Sequence, residues 1–149
     1  MSSAGDVDGD GLDDVLIGAW NAKEVNSTSD AGRVYLVLGS TLQNHSQYFN
    51  IDEADYIFTD ELNNCLGCSD YLGYSIAGIG DVDDDGLDDL VMSARGMHGI
   101  YSRVYVVLGS SLDTSGTISI SQADWTHSYF MEDILVSSAG DIDDDGLAD

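Results

Sequence analysis

A chain of 149 residues with 43% hydrophobic content carries enough apolar material for one domain with its own core, and that composition excludes general disorder despite the acidity. Its 28 acidic residues, set against Lys23, Arg33, Arg95 and Arg103, give a formal net charge of -24, which excludes nucleic acid and anionic membrane as default partners. No stretch approaches the roughly 20 apolar residues that span a bilayer, so membrane insertion is not expected.

The chain opens on an acidic string, Asp6-Val7-Asp8-Gly9-Asp10-Gly11-Leu12-Asp13-Asp14, and leaves it through Leu12 to Trp20, an apolar run of strand length. A polar, turn-rich stretch follows, with the sequon Asn26-Ser27-Thr28. Arg33 to Ser40 is β-branched and aromatic and ends on Gly-Ser, which predicts a second strand. A second sequon, Asn44-His45-Ser46, leads to Ile51–Thr59, whose centre, Ala54 to Phe58, predicts a shorter outer strand. Asn26 and Asn44 are the candidate glycosylation sites. Next comes a segment containing Cys65-Leu66-Gly67-Cys68. A redox pair, half a zinc site and a small disulfide compete there; with no second Cys pair and no ligand spacing among His45, His98 and His127, a Cys65–Cys68 disulfide is favoured.

From Leu72 the pattern restarts. Leu72 to Gly80 is apolar and glycine-rich, as expected of a strand packed closely by neighbouring backbones. It feeds a second acidic string, Asp81 to Asp89. Leu87 to Arg95 then echoes Leu12 to Trp20, Arg103 to Ser110 echoes Arg33 to Ser40, and Ala123-Asp124-Trp125 echoes Ala54-Asp55-Tyr56. Ile134 to Gly140 leads into a third acidic string, Asp141 to Asp149. Strand-to-strand periods stay near constant, 70 residues from Arg33 to Arg103, while the connections vary. Four short strands per period with no helical repeat describe propeller blades, and an all-β fold is expected. The expected organisation is a first repeat over residues 1–71 lacking its inner strand, a second over 72–129, and an inner strand with its loop over 130–149.

The three acidic strings share one pattern. Counting from the first Asp, carboxylates occupy positions one, three, five and nine: Asp6, Asp8, Asp10 and Asp14; Asp81, Asp83, Asp85 and Asp89; Asp141, Asp143, Asp145 and Asp149. Glycine follows at position six, where the backbone must turn. Unpaired, four carboxylates repel one another, and a hard cation taking six to eight oxygens neutralises them, so the strings are expected to bind calcium. An EF-hand is excluded by spacing, because position twelve is Ile17 or Met92 rather than a bidentate acid.

With Leu72-Gly73 and Gly18-Ala19-Trp20 flanking such loops, the sequence resembles the FG-GAP repeats of integrin α-subunit propellers and their bacterial relatives. The resemblance implies that each loop joins the first, inner strand of a blade to its second, and that the backbone carbonyls of Leu12, Leu87 and Leu147 join the four carboxylates on Ca2+. Ser93-Ala94-Arg95 and Met131-Glu132 depart from the family's pattern.

Loops of this kind belong mostly to secreted proteins, so an extracellular or cell-surface location is expected. The expected function is structural or adhesive, with self-association head to tail into a ring or fibre, or further blades of the same protein, as partner, and an extracellular protein or glycan as a further ligand. The alternative is a piece of the propeller of a larger secreted adhesin or of a polysaccharide- or lipid-degrading enzyme. No catalytic constellation is found, and no enzymatic activity is expected of this chain.

Overall fold

The structure, a computed structural model, describes residues 1–23, 31–44, 48–60, 71–96, 101–130 and 133–149. Cys65, Cys68, Asn26 and Met131-Glu132 lie outside them. The described residues are all-β apart from one short helix and single 3-10 turns, and among them no helix is long and apolar enough to cross a membrane.

Strands β1 (Ser2–Gly5), β2 (Asp14–Ala19), β3 (Arg33–Val37) and β4 (Tyr56–Thr59) form an antiparallel meander. Strands β5 (Leu72–Gly80), β6 (Asp89–Arg95), β7 (Ser102–Val107) and β9 (Trp125–Tyr129) repeat it as a second sheet. The registers are equivalent: Tyr35 faces Ile57 across β3–β4, and Tyr105 faces Thr126 across β7–β9. Each inner strand carries a register shift just before its acidic loop, between Ser3 and Gly5 in β1 and between Gly78 and Gly80 in β5. These are two blades, each a four-stranded meander with the acidic loop between its first and second strands.

Two expectations are corrected. The first repeat does not lack its inner strand, because Ser2–Gly5 pairs with β2. Four residues suffice, since a strand flanked on one side by β2 and packed on the other by β5 is defined by its neighbours rather than by its length. Conversely, the segment expected as a third inner strand, Ile134 to Gly140, is not a strand. It is held through serine hydroxyls. Ser93 Oγ donates to the Ile134 carbonyl (2.9 Å), and Ser75 Oγ accepts from the Val136 N–H (3.1 Å).

Two elements lie outside the sequence reading. Gly39-Ser40, expected to end a strand, instead opens the helix α1 (Gly39–Asn44). Strand β8 (Gly116–Ser119), from the second repeat, pairs in parallel with β4 and makes a fifth strand on the first sheet, with Phe58 opposite Ile118. The second blade thus covers the outer edge of the first, a protection that exposed sheet edges require.

One core joins the sheets, built from Leu16, Leu36, Phe58, Leu72, Leu90 and Met92, all at 0% exposure, with Ile120 closing it from the second repeat. Gly18 and Gly73 meet where the two sheets pack: a Cβ on Gly18 would lie 2.5 Å from the Gly73 carbonyl oxygen, so side chains at that crossing would force the blades apart. Trp20 stacks edge-on against Tyr71 and Tyr74, at 5.7 and 6.5 Å between centroids.

Candidate metal-binding loops

The three loops share one backbone path. Position six is left-handed in each, with φ of +88° at Gly11, +89° at Gly86 and +97° at Gly146. A Cβ there would meet nothing within 4 Å, so glycine is required by its backbone conformation rather than by space. Position four is left-handed too, at Gly9, Asp84 and Asp144, which the sequence pattern left unmarked because Asp tolerates that region better than most residues.

The hydrogen bonds repeat in the same way. The position-six N–H donates to Oδ2 of the first aspartate: Gly11 to Asp6 (2.9 Å), Gly86 to Asp81 and Gly146 to Asp141 (2.8 Å each). The position-seven N–H donates to the fifth-position carboxylate, so that Leu12, Leu87 and Leu147 sit 2.9 Å from Asp10, Asp85 and Asp145. Backbone donors hold the Asp81 carboxyl below the usual carboxylate range, that of Gly86 foremost. Asp83 is displaced upward, by loss of solvation and then by the charge of Asp85.

These loops gather their carboxylates. Asp6, Asp8 and Asp10 bring ligand oxygens within 4.8 Å of one another, as do Asp81, Asp83 and Asp85, and Asp141, Asp143 and Asp149. Within the first group, Asp6 Oδ1 is buried and has no hydrogen-bond partner. A carboxylate oxygen withdrawn from water without a donor is costly unless a cation meets it, so the residues present fit a hard divalent ion.

Position nine behaves differently. Asp14 and Asp89 are 1% and 0% exposed and stand outside the first two groups. Oδ2 of each accepts from position two of its own loop, Val7 or Val82 (2.9 Å each). Oδ1 accepts from a glycine beyond the third strand, Gly39 (2.7 Å) or Gly109 (2.8 Å). Burial pushes both carboxyls up, partly offset by these bonds, and the neighbouring carboxylates Asp8 and Asp10, or Asp83 and Asp85, add to the rise. Asp149 keeps the position-two bond, from Ile142 (2.8 Å), and joins Asp141 and Asp143.

Sequence reasoning missed two further carboxylates. Asp55 accepts from the Leu38 N–H and the Thr41 hydroxyl, and Asp124 accepts from Leu108 and Ser111 in the same way. The signal was present in the repeated Ala-Asp-aromatic triplet. Arg95, a departure from the family's pattern, pairs with Asp133 (2.9 Å) and lies over the Tyr74 ring, while the neighbouring Ser93 is the hydroxyl that holds Ile134. Asn44, at the end of α1, is exposed and donates from Nδ2 to the Ser40 carbonyl.

No curated protein matches the chain. Residues 2–37, which take in β1, the first acidic loop, β2 and β3, match the FG-GAP repeat family. The chain therefore carries an FG-GAP repeat over residues 2–37, and the same strands, registers and loop recur in its second blade.

Proposed function

We propose that this chain is an extracellular calcium-binding repeat module with a structural or adhesive role, in which calcium stiffens the blades and takes part in no chemistry. The observation that carries the reading is the buried, donorless Asp6 Oδ1 in a loop whose backbone path recurs twice more. An empty loop confines carboxylates at mutual distances under 4.8 Å, and a divalent ion offsets their repulsion while fixing the turn between first and second strands. Folding and calcium binding are then linked, by about 2.7 kcal/mol per site at a hundredfold excess of calcium over Kd.

The test is calcium titration by calorimetry beside thermal unfolding in calcium and in excess chelator. Saturable binding with a melting temperature that rises with calcium is expected. Absence of binding heat together with equal melting in both conditions would overturn the reading.

The partner is a further unit of the same kind, from a second copy or from additional blades. The coverage of β4 by β8 supports this, because the equivalent outer strand β9 is exposed along its length and carries no charged residue. The same observation favours the second reading, a propeller within a larger adhesin or a polysaccharide- or lipid-degrading enzyme. An extracellular protein or glycan as adhesive ligand would bind only in calcium.

A further inference from the structure

Position eight of each loop, Asp13, Asp88 or Ala148, belongs to no ligand set. In the second loop it leaves its own loop and grips the first: the Asp88 N–H donates to the Asp6 carbonyl (3.1 Å), and the Asp6 N–H donates to Asp88 Oδ2 (2.8 Å). Gly5, at φ +78°, makes room for this, since a Cβ there would lie 2.0 Å from Asp88 Oδ2. The third loop repeats half of the grip, with the Ala148 N–H on the Asp81 carbonyl (3.0 Å) and a methyl group where the carboxylate would be. Asp13 is exposed.

Asp6 is also the residue whose Oδ1 is buried without a donor and whose Oδ2 takes the Gly11 N–H. Its backbone is therefore clamped on both sides by the neighbouring blade, while its side chain faces its own loop. We infer that Asp88 is a positioning residue for the first loop, so that calcium affinity there depends on a carboxylate supplied by the second blade. This rests on the calcium reading above. Adjacent loops are then coupled: calcium in the second loop orders the segment that carries Asp88, and so favours binding in the first. The third loop, with Ala148, passes only the backbone half of that coupling to the second.

The glycines at position six give each loop its own reporter, because each donates its N–H to the first aspartate. Amide resonances of Gly11, Gly86 and Gly146 are followed through a calcium titration of the full chain, in wild type, Asp88→Ala, Asp88→Asn and Asp13→Ala. Asp13→Ala removes the same charge from the same loop position without touching a neighbouring loop. The expected result is a first-loop affinity lowered on the order of tenfold in Asp88→Ala, as for loss of one charge-assisted hydrogen bond. Asp88→Asn, which keeps an oxygen for the Asp6 N–H, recovers part of it and serves if the alanine variant does not fold. Asp13→Ala leaves the first loop within about twofold of wild type, the scale of a lost exposed charge.

An unchanged Gly11 midpoint in both Asp88 variants overturns the inference, as does a loss in the second loop as large as that in the first. Such a result would leave the calcium reading standing. Calcium that moves none of the three glycines would overturn both.

Discussion

The position-nine aspartates are expected to hold the fold whether or not metal is bound, and Asp89→Ala tests this. Asp89 is 0% exposed, and its two oxygens are the acceptors for the Val82 N–H (2.9 Å) and the Gly109 N–H (2.8 Å). Removing it leaves the buried Gly109 donor and the part-buried Val82 donor unsatisfied, at about 1–3 kcal/mol each. Against this stands the cost of keeping a carboxylate out of water, visible in its raised pKa, which the substitution returns. The net expectation is a loss of about 2–4 kcal/mol. With a urea dependence of roughly 2 kcal/mol per molar, the midpoint falls by about 1–2 M. Urea unfolding followed by circular dichroism, in saturating calcium and in chelator, is the assay. The reasoning requires most of the loss to persist in chelator, since neither hydrogen bond involves metal. A full effect in calcium with less than about 0.5 kcal/mol in chelator would refute it and make position nine a ligand and nothing more.

Other outcomes follow from the same geometry. Gly86→Ala, which meets no atom but must hold φ near +89°, should cost about 1–2 kcal/mol and weaken calcium binding in the second loop, measured by unfolding and by titration. Asp55→Ala should cost about 1–2 kcal/mol and Asp124→Ala less, because the two make the same bonds but Asp55 is better buried; paired urea curves check the order. Ser93→Ala should release Ile134 and raise hydrogen exchange over 134–140, with little effect on β1 to β4. For pH, the raised carboxyls of Asp14 and Asp89 bind protons more tightly folded than unfolded. Their destabilisation is absent below the unfolded value of 3.8, develops as pH rises from there, and is complete above the folded pKa. The calcium-free chain should therefore gain stability from these two groups on mild acidification, and saturating calcium should abolish or reverse that slope, as melting temperatures between pH 7 and pH 4 will register.

How much of this was legible in the sequence depends on the range of the interaction concerned. The loops were readable because each is set by near neighbours in sequence: a glycine five residues on bonds the first aspartate, and a leucine N–H bonds the aspartate two before it. The strands were readable for the same reason, through β-branched runs such as Arg33 to Val37 whose partners repeat at a fixed period. Strand β8 was not, because Gly116-Thr117-Ile118-Ser119 offers only two β-branched residues between turn formers and is ordered by an edge some 60 residues earlier. Nor was the opposite case. Ile134 to Gly140 has the composition of an inner strand, but it is held by the Ser93 and Ser75 hydroxyls rather than by a ladder.

The division within the acidic strings has the same origin. Periodicity groups positions one, three, five and nine as equals, since all four are Asp in every loop. What separates position nine in the first two loops is burial, with Gly39 and Gly109 arriving from beyond the third strand of each blade to bond it. What separates position eight is the neighbouring blade, which takes Asp88 onto Asp6 and leaves its twin Asp13 in solvent. One residue type within one loop thus performs three tasks: gathering charge at the loop surface, stapling the blade from within, and joining one blade to the next. On the inference above, the joint between neighbouring loops is complete where position eight keeps its carboxylate and is reduced to its backbone half where it does not. Asp at the second loop and Ala at the third place the stronger joint between the first and second loops.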